Sequence, residues 1–398
     1  MGVCAAGKLT DAPLLLTVVT ETHPPEINGV AMTVGRLVEG LRARSHTVSV
    51  VRPRRNGRDR PGPNETLVGG LPLPGYPELR FDMPATGRLR RQWTARRPDA
   101  VHIVTEGPLG WSALRAARSL GIPVTSGYHT NFDRYSRHYR AGFMGPAVRG
   151  WLSRFHRRTD ATLVPTATLA NDLGRRGIPG VRVVARGIDT TLFDPSRRDA
   201  ALREAWSCAP DTLAVLYVGR LAAEKNLALV ETAFEMIAAR GQPARMIWVG
   251  DGPQRERLRR SHPDHHFAGS RVGNDLAAHY ASADLFLFAS LTETYGNVTV
   301  EAMASGLPVV AFDDAAAGVL IRHGETGLLA PPGNFEAFIE AALHAADDAD
   351  LRRSMGERAR ARVVPLGWDA IVCEMEQAIR AAIAGRAEAG PTAAKASQ

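Results

Sequence analysis

Short aliphatic runs recur along this chain, bounded by glycine, proline or polar residues and separated by segments with helical period. Leu14–Thr20, Thr47–Arg52, Ala100–Thr105, Ile122–Ser126 and Ala161–Pro165 read as strands in the first half. Leu213–Val218, Arg245–Val249, Asp284–Ala289 and Pro308–Phe312 read as strands in the second. Strands alternating with helices predict parallel sheets with crossover connections, and hence an α/β chain of two doubly wound domains. The polar stretch Asp194–Asp199 is the expected junction, giving residues 1–197 and 198–367. A helix over 368–384 follows, then a tail over 385–398 expected to lack order. Segment 56–75, rich in Gly and Pro, is expected to be a loop.

At 398 residues the chain can bury two full cores. The apolar run near its start reads as a first strand, and nothing approaches the ~20 apolar residues of a membrane span. Three cysteines, Cys4, Cys208 and Cys373, are odd in number and far apart, with no zinc spacing and no disulfide framework. That favours a reducing, cytoplasmic setting. Charge is uneven: residues 1–198 hold 30 Lys+Arg against 15 Asp+Glu, although the whole chain is only +8. A basic first domain suits an anionic acceptor or the inner face of a membrane. Only three of the 49 cationic residues are lysines, and Lys8 and Lys395 lie near the ends. Lys225 is therefore the lysine of the folded body, retained either by chance or because a compact ammonium is needed where a guanidinium would not fit.

Candidate chemistry concentrates in Glu293 to Phe312, ETYGNVTVEAMASGLPVVAF. Glu293 falls on a loop after a strand, and Tyr295, Gly296, Asn297 and Val298 lead into a helix whose first amides lack internal partners. Such amides suit an anion. Glu301 lies about two turns further and reaches another part of the same ligand. Gly306-Leu307-Pro308 ends the helix. Upstream, Val218-Gly219-Arg220-Leu221-Ala222-Ala223-Glu224-Lys225-Asn226 leaves a strand with two cations able to neutralise a departing diphosphate. Val249-Gly250-Asp251-Gly252-Pro253 is another strand-to-helix turn, but Arg255 stands where a dinucleotide fingerprint needs its third glycine. The histidines offer no metal spacing.

Together these motifs resemble the retaining nucleotide-sugar glycosyltransferases of family 4 over about residues 14–384. The resemblance implies a GT-B fold: two Rossmann-like domains facing across a cleft, an acceptor domain first, a donor domain second, and a last helix crossing back to the first. It implies that Glu293 contacts the sugar, Tyr295 to Val298 hold the diphosphate, and Glu301 grips the ribose. It puts Arg220 and Lys225 on the leaving group, Gly29 and Gly250 beside the donor, and Arg271-Val272 near the base. It makes His129, in Gly127-Tyr128-His129-Thr130-Asn131-Phe132, the active-site histidine. This run and His102–Gly110 look like a subgroup of lipid-directed α-mannosyltransferases and sulfoquinovosyltransferases.

The expected activity is transfer of a hexose, first mannose from GDP-mannose, to a membrane glycolipid or other glycan. A UDP-sugar-dependent glycosyl- or sulfoquinovosyl-diacylglycerol synthase is the alternative. No metal or cofactor beyond the donor is expected, because Arg220 and Lys225 fill the role a metal could take. A nucleotide-dependent oxidoreductase would need a glycine fingerprint, and a basic nucleic-acid binder a recognisable module; neither is found. At helical spacing over 143–158, Trp151 and Phe155 line an apolar stripe flanked by Arg154 and Arg158, suiting either a core helix or anionic lipid. Arg88–Trp93 is a second basic-aromatic cluster of the same kind.

Overall fold

A computed structural model describes residues 12–24, 26, 29–73, 76–82, 85–128, 145–293 and 295–388. The chain forms two compact units, which divide between Gly187 and Ile188 and again between Gly367 and Trp368.

Unit 1 holds a parallel sheet built from β1 (Leu15–Val19), β2 (Thr47–Pro53), β3 (Glu65–Val68), β6 (Ala100–Ile103), β7 (Val124–Gly127), β8 (Ala161–Val164) and β9 (Val181–Val183). A separate antiparallel pair, β4 (Gly70–Leu73) and β5 (Tyr76–Asp82), lies outside it. The main sheet runs β3-β2-β1-β6-β7-β8-β9, so chain order reverses between β1 and β6. Leu16, Val18, Val48, Val50, Ile103 and Val124 are buried, as aliphatic strands covered on both faces require. The helix Trp368–Glu388 belongs to this unit and sends Ile371, Val372, Met375 and Ile379 into its core. Glu376 on that helix accepts from Arg44 and Arg380 at 2.6 and 2.7 Å, fixing it to the helix Gly29–Ala43 side. Cys373 is disulfide-bonded, which the spacing gave no sign of.

The expectation of a loop over 56–75 is corrected: β3 pairs with β2 from Val50↔Glu65 onward, and β4 follows. Buried Arg52 explains the placement, since it donates to Asp59 at 2.7 Å and to Glu65 at 2.8 Å and ties both to the sheet. The helix Trp368–Glu388 also continues past the expected end at 384. Residues 389–398, where the tail was expected, lie outside the described residues.

Unit 2 holds β10 (Leu213–Val218), β11 (Ala244–Val249), β12 (His266–Gly269), β13 (Leu285–Phe288), β14 (Val309–Phe312) and β15 (Leu328–Ala330). All pairs are parallel, in the order β12-β11-β10-β13-β14-β15. Order reverses between β10 and β13, and such a switch point is where open α/β sheets bind ligands. The unit begins at Ile188, so the polar stretch expected as a junction lies inside it. There Asp194 caps the short helix Pro195–Arg197 and binds Arg360, while Arg198 and Arg203 both grip Asp284.

Candidate active site

The two loops that leave the switch point of unit 2 carry the predicted residues. After β10, Gly219 adopts φ +150° and turns the chain; Arg220 follows, and a single 3₁₀ turn, Ala223–Lys225, presents the lysine. The next residue, Asn226, is left-handed and starts the helix Leu227–Ala238. After β13, the chain passes Ser290 and Glu293, turns at left-handed Gly296 (φ +88°) and enters the helix Asn297–Ala304. A carbon in place of the Gly296 hydrogen would stand 3.4 Å from Glu293 Cγ, an ordinary contact, so this glycine serves the turn by its φ and not by space.

The loops are tied together. Lys225 donates to Oε1 of Glu293, and the Ser290 hydroxyl donates to the same oxygen at 2.9 Å. Thr292 Oγ1 donates to the main-chain oxygen of Glu224 at 3.3 Å. The Glu224 carboxylate is buried and stands 3.6 Å from Arg220 Nη1. Beneath them the fully buried Tyr217 donates its hydroxyl to the Arg220 carbonyl at 3.2 Å. Burial first, then the charges of Glu293 and Glu224, push that phenol well above its ordinary pKa, so it stays a donor. Sequence reasoning expected two cations here; the geometry shows two cations each beside a carboxylate. Glu224 stood within the quoted motif, but its spacing alone gave no hint of burial.

A third turn props the first. Gly250 follows β11 with φ +135°, and a Cβ there would fall 1.9 Å from the Gly219 carbonyl oxygen. Gly250 N donates to Gly269 O at 2.9 Å and Gly219 N to Val249 O at 3.0 Å, so three neighbouring strand ends interlock through backbone. Gly250 is thus a close-approach glycine. Tyr295 is buried and its carbonyl accepts from Ala316 N at 2.7 Å, holding the loop before the helix.

Glu301 is the fifth residue of its helix, little more than one turn in rather than two. Tyr280 donates to its Oε2 at 3.0 Å. Burial pushes the Glu301 carboxyl up to about 7, against the pull of that hydrogen bond. Arg271 pairs with Asp275 at 2.9 Å, and Val272 is exposed ahead of the helix Gly273–Ser282.

In unit 1, Gly29 opens the helix Gly29–Ala43, and Thr33 Oγ1 donates to its carbonyl at 2.7 Å. His129 lies outside the described residues, as do Phe143 and Met144. Within the helix Gly145–His156, the expected stripe divides. Trp151 is 41% exposed and donates its indole N–H to the Glu106 carbonyl at 2.9 Å. Arg154 and Arg158 lie 6.0 and 5.8 Å from the ring centre of Trp111, which packs 4.8 Å from Trp151. Phe155 is corrected from a surface residue to a core one: it is fully buried between the sheet and Trp111. Leu89 and Trp93 of the second basic-aromatic cluster are buried in the same core. Among the described residues no group of three His, Cys, Asp or Glu is placed to hold a metal, and no helix is long and apolar enough to cross a membrane.

The fold and the motifs define the class: two Rossmann-like units with the GT-B architecture of glycosyltransferases. Comparison with known proteins makes it more specific. The description Glycosyltransferase Family 4 matches residues 27–192, and Glycosyl transferases group 1 matches residues 212–348. A GDP-mannose-dependent alpha-mannosyltransferase of Mycobacterium tuberculosis (strain CDC 1551 / Oshkosh) is 35% identical, over 90% of this chain and 94% of its own. The sulfoquinovosyl transferase SQD2 of Arabidopsis thaliana is 30% identical, over 75% of this chain and 60% of its own. Sucrose-phosphate synthase from Thermosynechococcus elongatus superposes with a TM-score of 0.74 at 22% identity, covering 93% of this chain and 99% of the other. The chain belongs to glycosyltransferase family 4 and is similar to GDP-mannose-dependent alpha-mannosyltransferases and to a sulfoquinovosyl transferase.

Proposed function

We propose that this glycosyltransferase moves a hexose, mannose from GDP-mannose first, onto a membrane glycolipid with retention of anomeric configuration. The observation that carries the reading is the pairing of Arg220 with Glu224 and of Lys225 with Glu293 on the two loops at the switch point of unit 2, the second loop leading into a helix N-terminus. The donor of the similar alpha-mannosyltransferases, GDP-mannose, supports mannose over other hexoses. A UDP-sugar-dependent glycolipid synthase is the second reading, favoured by the likeness to the sulfoquinovosyl transferase and to alpha-monoglucosyldiacylglycerol synthases.

In this mechanism the amides that open the helix Asn297–Ala304 and the two cations stabilise the charge that grows on the departing diphosphate. Preorganised donors of this kind are the largest catalytic contribution in most enzymes. Ser290 and Lys225 hold Glu293 Oε1, and so fix the carboxylate that addresses the sugar. Each cation is already balanced by a carboxylate, so the donor's own charge brings the site to a net negative state that the helix dipole offsets. The acceptor hydroxyl attacks from the side the diphosphate leaves, and a phosphate oxygen takes its proton. His129 aligns the reacting face, Glu301 takes the ribose, and Gly29, Gly250, Arg271 and Val272 border the donor. The donor sugar is the only cofactor-like molecule required. The basic first domain, through Trp151, Arg154 and Arg158, rests peripherally on the cytoplasmic face of an anionic membrane.

Radiolabelled GDP-mannose, UDP-glucose and UDP-sulfoquinovose, each incubated with the enzyme and a total membrane lipid extract, test the reading. A labelled lipid from GDP-mannose with an α linkage by NMR is the expected result. Label transferred only from a UDP sugar selects the second reading. Thermal stabilisation by NAD or an oligonucleotide, with none by GDP or UDP, overturns both.

A further inference from the structure

We propose that Tyr280 is a positioning residue for nucleotide recognition: its hydroxyl holds Glu301 in the one orientation that meets a ribose diol. This rests on the ribose role given to Glu301 above. Tyr280 lies on the helix Gly273–Ser282, a different element from the helix that carries Glu301, and is fully buried. Phe193 meets its ring edge-on at 5.7 Å and Phe286 lies 5.8 Å away, so the phenol sits in a fixed slot.

Only the hydroxyl escapes this apolar packing, and it donates to Glu301 Oε2 at 3.0 Å. A phenylalanine would fill the same slot without the cost of removing a hydroxyl from water. The hydroxyl therefore has its use at the carboxylate. The last torsion of a glutamate is broad and nearly two-fold, so an untethered Glu301 would spread over many carboxylate planes. Recognition of two adjacent hydroxyls needs both oxygens in one plane and at one angle, and a fixed partner supplies that order before the ligand arrives. Burial and the neighbouring Glu301 charge keep the phenol pKa well above its ordinary value, so the donor is present at every working pH.

The test compares GDP and UDP with their 2′,3′-dideoxy analogues by calorimetry on the full chain, in wild type, Tyr280→Phe and Glu301→Ala. Wild type should favour the ribose form. Glu301→Ala should erase that preference; if it does not, the ribose reading itself fails and the proposal falls with it. Tyr280→Phe should keep its melting temperature and its affinity for the dideoxy form, yet lose roughly 10-fold in affinity for the ribose form, as loss of a hydrogen bond to a charged group implies. In turnover the same variant should raise the donor KM with little change in kcat. A purely structural tyrosine would weaken both nucleotides alike. Equal weakening, or an unchanged preference in Tyr280→Phe while Glu301→Ala loses it, overturns the proposal.

Discussion

Lys225 and Glu293, 68 residues apart in the chain, form an ion pair that joins the loop after β10 to the loop after β13. The ammonium is mostly enclosed, with 16% of its side chain exposed, and the carboxylate is also held by Ser290. A guanidinium is planar and larger, and cannot occupy the same point while keeping both its partner and its direction. Lys225→Arg is expected to lower kcat by about 10²–10³-fold, the effect of losing one preorganised charge, with the melting temperature little altered. Near-normal turnover would remove the argument for a compact cation.

Gly250 offers a test of how the donor loops are supported. Its φ of +135° and the 1.9 Å approach of a Cβ to the Gly219 carbonyl leave no room for alanine. Gly250→Ala should cost at least about 1–3 kcal/mol from backbone strain alone and should loosen nucleoside diphosphate binding, because the Arg220 turn must move. Gly150, in the helix Gly145–His156 with nothing within 4 Å of a Cβ, is the control. There alanine should stabilise by roughly 0.5–1 kcal/mol. Chemical denaturation of both variants reads the contrast.

Which parts were legible in the sequence follows from what each residue answers to. The central strands β1, β10 and β13 are short runs dominated by apolar residues and almost wholly buried, so burial and composition gave the same signal. β9, β12 and β15 lie at the sheet margins, β9 and β15 with only three residues each, and His266-Phe267-Ala268-Gly269 of β12 contains no β-branched residue at all. Lys225 and Glu293 could be singled out because chemistry chose their types. Tyr280 could not, since an aromatic at helical spacing is core in most proteins and only its hydroxyl distance to Glu301 reveals a use. Phe155 misled for a related reason: a 3.6-residue period gives the apolar stripe but not the surface that covers it.

That divided stripe makes a prediction with two opposite outcomes. Trp151→Ala with Arg154→Ala should leave the fold intact, because both residues are exposed. The double variant should float poorly with vesicles rich in anionic lipid, while binding to neutral vesicles, weak in both proteins, is unaffected. Phe155→Ala should instead destabilise unit 1 by about 3–5 kcal/mol, as expected for an emptied aromatic core position. Equal flotation of wild type with anionic and neutral vesicles would dismiss the membrane-facing surface.

Glu376 is expected to govern acid stability of unit 1. Burial would raise its pKa, but hydrogen bonds from Arg380, Arg44 and His46 outweigh burial and bring it down to about 2. A carboxylate lowered on folding contributes stability that is complete above its unfolded pKa and is lost as pH falls toward the folded one. Wild type should therefore lose on the order of 3 kcal/mol more than Glu376→Gln between pH 5 and pH 2, measured by urea titration at each pH. Parallel pH curves for the two proteins would show that the pairs contribute nothing.

Glu301 should behave in the opposite sense. Its pKa is raised by burial to about 7, so between the unfolded value of 4.5 and 7 the folded chain holds a proton that the unfolded chain has released. Stability must fall as pH rises through that window and is not regained above it. Glu301→Gln removes the ionisable group while retaining an acceptor for Tyr280, and should be more stable than wild type by roughly 2–3 kcal/mol at pH 8 yet equal to it at pH 4. Nucleoside diphosphate affinity should move the other way, highest in wild type above pH 7 and weakened in the variant, because two ribose hydroxyls need a carboxylate as acceptor. Such opposition of stability and binding is the mark of a charge kept buried for a ligand. If Glu301→Gln proves less stable at pH 8, the carboxylate is satisfied by the protein alone and its assignment to the donor is wrong.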